Sequence, residues 1–307
     1  MVRIWPRSFA HRLSAPLPTY RDFARLLLRD GLHPRGRSTA GVPEIPVNRL
    51  GLPKISDPRS AVTWVGHATF VIRIRNMTIL TDPVWSRRIP ATPARWTAPG
   101  VDWSDLPTVD AVVISHNHYD HLDAPTIKRL PRDTPVFVPG GLGRWFRKRG
   151  FTEVTELDWW ESAKVHNVRL DFVPAHHWSR RGLLDTCRSL WGGWVIDQKV
   201  YFAGDTGYGP YFREIGQRHP NLELAIMPIG AYDPRWIMHT VHMNPEEAVT
   251  ALGDLGASRM APMHWGTFGL TTEPVLEPIQ RARTAWAATG RPRADLWDLA
   301  VGESAVW

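Results

Sequence analysis

The segment Ser115-His116-Asn117-His118-Tyr119-Asp120-His121 puts four metal-ligating side chains into six residues: His116, His118, Asp120 and His121. It directly follows the apolar run Ala111–Ser115. A loop leaving a buried strand can aim alternate side chains at one point, and imidazole with carboxylate suits zinc. One loop binds a metal weakly, so further ligands are expected from other strand ends. Three segments offer them: Pro174-Ala175-His176-His177-Trp178, Gly204-Asp205-Thr206-Gly207 and Pro262-Met263-His264-Trp265-Gly266. Each follows an apolar run, and each alone would pass for a turn or a structural residue. Together they give the series His, His, Asp, His, then His, Asp, His, enough for two metal ions sharing one carboxylate. Either His176 or His177 could fill the fifth place on these grounds. His242 adds a different chemistry. It precedes Asn244-Pro245-Glu246-Glu247, which reads as N-cap, first helical residue and capping-box partner. A histidine beside a helix N-terminus suits an anionic phosphate.

The elements that must position these groups can be read from periodicity. Ala61–Val65, Ala68–Ile74, Met77–Thr81, Ala111–Ser115, Pro135–Val138, Val165–Val173, Gly193–Ile196, Lys199–Ala203, Leu224–Pro228 and Arg259–Met263 read as strands. Helices are expected over Tyr20–Asp30 with Gly31 as its stop, from Ala124 behind an Asp123 cap, and over Gly143–Arg149. Two more are expected over Pro245–Leu252 and Glu277–Ala288. Strands interleaved with helices, without a linker or repeat, argue for one layered α/β unit over residues 61–307.

Composition narrows the class. Of 307 residues, 43% are apolar and 22% charged, which excludes a disordered or fibrous chain. A single cysteine, Cys187, excludes a disulfide framework and any zinc site built on several cysteines. No apolar run has the length of a signal peptide or of a membrane span, so a cytoplasmic protein is expected. The net charge of +7 resides in residues 1–60, which hold ten Arg and one Lys against four acids. That basic Pro/Arg-rich segment is expected to pack on the domain or to meet membrane phosphates, with Tyr20–Asp30 as a candidate interfacial helix. Residues 61–307 are charge-neutral and contain no separate RNA-gripping module, so no nucleic-acid partner is expected. Sixteen tryptophans are unusual for this length; core filling is expected to take more than half of them and a large aromatic cleft or interface the rest, and their density near the motifs (Trp159, Trp160, Trp178, Trp191, Trp194, Trp236, Trp265) favours a lipid substrate.

The ligand series resembles the metallo-β-lactamase fold hydrolases. The flanking text narrows the resemblance. Val62–Thr69 (VTWVGHAT), Ile114–Asp123 (ISHNHYDHLD), Leu157–Glu161 (LDWWE), His177-Trp178, Ala203–Tyr208 (AGDTGY), Pro228–Trp236 (PIGAYDPRW), Pro245–Ala248 and His264–Phe268 (HWGTF) are similar to N-acylphosphatidylethanolamine-hydrolysing phospholipase D. The resemblance runs from about residue 60 to 305 and does not extend to residues 1–60. It implies an αββα sandwich of two mixed sheets flanked by helices, and two Zn²⁺ per chain. His116, His118 and His177 are implied for the first zinc, Asp120, His121 and His264 for the second, and Asp205 as the bridge. By the same carry-over His177, which directly precedes Trp178, is the ligand rather than His176, and His67 is secondary or structural. Catalytic roles are implied for Asp120, Asp205 and His242, and substrate contacts are expected at Trp178, Arg180, Tyr208 and Trp236. The implied reaction cleaves N-acylphosphatidylethanolamine into N-acylethanolamine and phosphatidic acid at a membrane surface, by a homodimer. The competing expectation is a hydrolase of the same fold acting on a soluble phosphodiester or lactone.

Overall fold

A computed structural model of the chain describes residues 3–29, 44–90 and 92–307. After α1 (Tyr20–Arg29) come β1 (Ala61–Gly66), β2 (Thr69–Ile74), β3 (Met77–Thr81), β4 (Ala111–Val113), α2 (Ala124–Arg129), β5 (Val136–Pro139), α3 (Gly143–Arg147) and β6 (Val154–Leu157). The second half holds β7 (Ser162–Val165), β8 (Val168–Val173), β9 (Gly193–Ile196), β10 (Val200–Phe202), α4 (Tyr211–Arg218), β11 (Leu224–Pro228), α5 (Arg235–Met238), α6 (Pro245–Leu255), β12 (Arg259–Met263), α7 (Glu277–Ala288) and β13 (Ser304–Val306).

The strands form two mixed sheets, ordered β13-β1-β2-β3-β4-β5-β6 and β12-β11-β10-β9-β8-β7. In the first, β1 to β3 meander antiparallel and β3 to β6 run parallel. In the second, β7 to β10 are antiparallel, and β11 and β12 continue parallel to β10. Side chains of a strand alternate between faces, and the core obeys that alternation. Phe70, Ile72 and Ile79 share one buried core with Phe172 and Trp194 of the other sheet. Val71 and Leu80, one residue out of phase, belong to a second core with Ile127 of α2 and Phe146 of α3. On the second sheet, Leu252 of α6 and Trp286 of α7 join the central core. The expected sandwich of two mixed sheets between helices is therefore the observed architecture.

Local signals account for several helix ends. Asp123 caps α2 by accepting from the Thr126 N–H. Asn244 and Glu247 make a reciprocal capping box on α6, with Pro245 in its first turn and a left-handed Gly256 at its end. One expectation needs correction: Val165–Val173 is not a single strand. Val168–Val173 is β8, whereas Val165 ends β7, and the two strands form a hairpin closed by the two-residue turn His166-Asn167 between paired Val165 and Val168.

The described part of residues 1–60 packs on this body. Phe9 is 1% exposed, its N–H donates to the Cys187 carbonyl at 2.7 Å, and Arg3 pairs with Glu161 at 2.6 Å. The stop expected at Gly31, with Asp30, lies outside the described residues, as do the side chains of Phe23, Leu26 and Leu27.

Candidate metal centre

The candidate ligands arrive from both sheets. His116, His118, Asp120 and His121 follow β4, His177 follows β8, Asp205 follows β10 and His264 follows β12. His264 sits at φ 63, tied by its N–H to the His67 carbonyl at 3.2 Å. Backbone from the β11 side comes so close that a side chain at Gly230 would run into the His264 carbonyl.

Two groups result. His116 Nε2 lies 2.9 Å from His118 Nδ1, and His177 Nε2 lies 3.2 Å from the same atom. Tetrahedral zinc with nitrogens at ~2.0–2.1 Å would separate its ligands by roughly 3.3 Å. The second group joins His67, Asp120, His121 and His264. In it Asp120 Oδ2 lies 3.5 Å from both His121 Nε2 and His264 Nε2, and 3.0 Å from His67 Nε2. Asp205 reaches both groups. Its Oδ2 is 3.9 Å from His116 Nε2, 3.8 Å from His177 Nε2 and 3.2 Å from His121 Nε2, while Oδ1 is 3.1 Å from His264 Nε2.

Donor chemistry fits a pair of divalent cations. His121 Nε2, His264 Nε2 and Asp205 Oδ1 are buried without a hydrogen-bond partner, although carboxylate and imidazole atoms stand 3.1–3.2 Å apart. These atoms are close but not aligned with one another, as atoms aimed at a shared third point would be. Burial, reinforced by neighbouring histidines, pushes His116 and His177 well below the usual imidazole range, and burial brings His118 to about 4. Neutral imidazole is the form that ligates. Burial disfavours charge on Asp120 and Asp205, yet the facing histidines outweigh it and hold both carboxyls well below the ordinary range. Both are therefore carboxylates, the form that binds a cation.

Partners behind the ligands fix their orientation. Asp82, fully buried after β3, accepts from His121 Nδ1 at 2.7 Å, from the Ser115 N–H at 2.7 Å and from Ser115 Oγ at 2.5 Å. Ser115 Oγ in turn meets His116 Nδ1 at 2.9 Å. One carboxylate thus orients a ring in each group, the arrangement that sets imidazole tautomers in metal sites. His177 Nδ1 faces the Val241 carbonyl at 3.1 Å. Asp82 escaped the sequence reading, although its place after the strand Met77–Thr81 repeats the strand-end pattern of the other ligands. His67, expected as secondary, stands beside Asp120.

His242 belongs to this cluster. It is buried, forms a group with His177 and Asp205, and its ring centre lies 5.1 Å from that of His177 and 5.5 Å from that of His264. Its Nδ1 has no partner, and burial lowers it to about 4. Arg235, also unforeseen, holds the His242 carbonyl at 2.6 Å and pairs with Glu247 of the capping box. His176 turns away. Its ring lies 4.7 Å from that of Tyr211, and its backbone bridges Gly207.

The expected substrate contacts are more dispersed. Trp178 packs edge-on against His118, 4.7 Å between ring centres. Trp236 is partly exposed beneath Arg25 of α1, at 4.9 Å. Tyr208 donates to Asp254 at 2.6 Å, and Arg180 donates to the Gly182 carbonyl at 3.0 Å, so both have partners of their own. Of the seven tryptophans near the motifs, three belong to the core-filling share and not to a cleft. Trp191, Trp194 and Trp265 are buried, and the first two donate to the Ala175 and Ile114 carbonyls. All three belong to the close-packed central core.

Comparison with known proteins agrees with this geometry. Residues 77–265 match the family described as Beta-lactamase superfamily domain. An uncharacterized protein of Mycobacterium tuberculosis is 41% identical over 81% of this chain and 70% of its own length. The N-acyl-phosphatidylethanolamine-hydrolyzing phospholipase D 1 of Caenorhabditis elegans is 36% identical over 98% of this chain and 91% of its own. Among solved structures, a metallo hydrolase from Ignicoccus hospitalis superposes with a TM-score of 0.61 at 25% identity, covering 81% of this chain and 98% of that one.

Proposed function

Because the chain belongs to the beta-lactamase superfamily, as a metal-dependent hydrolase with the metallo-β-lactamase fold, we propose that it is a zinc-dependent phosphodiesterase of phospholipase D type. Its substrate in this reading is N-acylphosphatidylethanolamine, cleaved to N-acylethanolamine and phosphatidic acid. The observation that carries the reading is the position of His242, a buried imidazole grouped with Asp205 and His177 and with its Nδ1 unpartnered. A relative that hydrolyses N-acyl-phosphatidylethanolamine and matches nearly the whole chain supports the substrate class.

His116, His118 and His177 would hold one zinc, Asp120, His121 and His264 the other, with Asp205 shared. Bound there, two zinc ions supply Lewis acidity and bring the pKa of a water toward ~7. The protein's own groups do the rest. Asp120 and Asp205 accept hydrogen bonds from the attacking water and orient it toward phosphorus. His242, neutral near pH 7, donates a hydrogen bond to a phosphate oxygen and steadies the diester in line for displacement of the ethanolamine oxygen. Arg235 keeps His242 in place through its carbonyl. Trp178 and Trp236 offer apolar faces for acyl chains, with Arg180 and Tyr208 at the polar rim.

In the same reading residues 1–60 are a basic segment attached to a hydrolase domain of residues 61–307, and the enzyme works as a cytoplasmic homodimer peripheral to a membrane. Among the described residues no helix is long and apolar enough to cross one. The burial of Trp191, Trp194 and Trp265 removes them from the lipid argument and keeps a soluble phosphodiester or lactone as the competing substrate. The test is turnover of micellar N-acylphosphatidylethanolamine against bis-p-nitrophenyl phosphate and a simple lactone, each with added zinc. Selective release of N-acylethanolamine supports the reading, and preference for a soluble substrate overturns it. Sedimentation equilibrium tests the dimer, and a monomer would refute it.

A further inference from the structure

The neutral balance of residues 61–307 conceals a strongly basic stretch. Residues 124–150, which carry α2 and α3, hold seven Lys and Arg against one acid, Asp133. Among the described residues only Arg147 of these seven has a carboxylate in ion-pair range, Glu156 at 2.5 Å. Arg132 donates to the Leu130 and Lys128 carbonyls, both at 2.9 Å, and not to a carboxylate. Arg149 lies 3.6 Å over the Trp145 ring. Lys128, Arg132 and Arg149 line an open groove of about 550 Å³ with Ala124 and Pro125.

This basic face is joined to the rim of the histidine cluster. The Arg181 guanidinium lies 4.2 Å over Tyr119 and 5.4 Å over Trp145, so it links the loop after His177 to α3. It also donates to the Leu122 carbonyl at 2.5 Å, and Tyr119 Oη donates back to the Arg181 carbonyl at 2.6 Å. Asp185 closes the loop by accepting from the N–H groups of Arg181 and Gly182 at 3.0 and 2.6 Å. The tip braced in this way holds Leu183 and Leu184 out at 86% and 83% exposure. Adjacent leucines in water, on a rigid loop flanked by unneutralised cations, need an environment that is apolar inside and anionic outside.

We propose that this face docks on an anionic phospholipid bilayer. Leu183 and Leu184 enter the interface, Lys128, Arg132, Lys148 and Arg149 meet lipid phosphates, and the histidine–aspartate cluster is brought to the membrane. The proposal rests on the phospholipase reading for its purpose but not for its test. A nucleic acid would also satisfy the cations, yet it has no use for two exposed leucines.

The test is co-sedimentation of the full chain with phosphatidylcholine vesicles, with and without phosphatidylglycerol. Wild-type protein should bind the anionic vesicles in a salt-sensitive manner. Lys128→Gln and Lys148→Gln should each weaken binding about fivefold, and the Leu183→Ser/Leu184→Ser double variant by at least about tenfold. All four positions are exposed and outside the metal and substrate groups, so turnover of a short-chain, monomeric substrate should stay at the wild-type level. The proposal is overturned if wild-type protein does not prefer anionic vesicles, if the variants bind like wild type, or if an RNA oligonucleotide binds more tightly than the vesicles. Vesicle binding without hydrolysis of N-acylphosphatidylethanolamine included in the bilayer would instead refute the activity and leave the docking face standing.

Discussion

Asp82 offers the sharpest perturbation, because a single carboxylate orients rings in both ligand groups. In Asp82→Asn the volume is kept, and the amide oxygen can still accept from the Ser115 N–H, now held at 2.7 Å. The amide NH₂ then stands where Oδ2 accepted from His121 Nδ1 and Ser115 Oγ. His121 must turn from donor to acceptor at Nδ1, which moves its proton to Nε2, the atom 3.2 Å from Asp205. A ring protonated at Nε2 cannot ligate there. Flipping the amide restores His121 but sets the NH₂ against the Ser115 N–H. Losing such an outer partner costs roughly 10–100-fold in metal affinity, about 1.4–2.8 kcal/mol. Asp82→Ala would leave three buried donors unpaired and lose at least about 3 kcal/mol of folding stability. The assay is zinc competition against a chromophoric chelator, paired with thermal unfolding to establish that Asp82→Asn still folds. A folded Asp82→Asn protein that binds zinc as tightly as wild type would show that Asp82 sets no tautomer.

Asp205→Asn should lower zinc content per chain and cut turnover by at least about tenfold, since Asp205 reaches both groups; elemental analysis showing full loading would remove its shared role. His176→Gln should retain most zinc and activity while His177→Gln loses both, because His176 packs against Tyr211; the reverse order would mean that the assignment is exchanged. Phe9→Ala should destabilise the protein by about 3–5 kcal/mol, because the ring is fully buried in the central core; unchanged denaturant unfolding would make the N-terminal segment dispensable. After chelation, pH should act through the histidines that face the two carboxylates. Burial works against their charge, but Asp205 and Asp120 outweigh it, holding His264 at about 9 and His121 well above its usual value. Folded values raised above the unfolded value of ~6.5 give stabilisation that is complete below that pH and lost as pH climbs through about 9. Calorimetry on the chelated protein should therefore show Tm falling from about pH 6.5 to 9, and a rising Tm would contradict the ion pairing.

Much of the candidate site was legible because its His and Asp residues are strand-terminal, behind apolar runs, and such runs mark strands whatever their partners. The cap of α6 was equally plain, since Asn244, Pro245 and Glu247 act within one turn. Non-local features were not. β13 is a half-exposed three-residue strand that exists because Ser304, Ala305 and Val306 find Thr63, Val62 and Ala61. The hairpin at His166-Asn167 carried an asparagine turn signal, but the apolar alternation on either side masked it. Asp82 and Arg235 act by reaching residues more than thirty and about ten positions away, respectively, and a lone aspartate or arginine announces no such errand. The tryptophan count could not divide core from cleft, since composition does not say which faces a ring will occupy.

The candidate ligands after β4 hang from one sheet, and those after β8, β10 and β12 from the other. A cation held by both sets would therefore fasten the two halves of the sandwich along their common seam, like a rivet through two plates. Slippage of one plate against the other by a fraction of an ångström would be felt first by the chemistry and only later by the fold. Volume-conserving substitutions deep between the sheets, which cost little stability, would then be a route to catalytic loss with little change in melting.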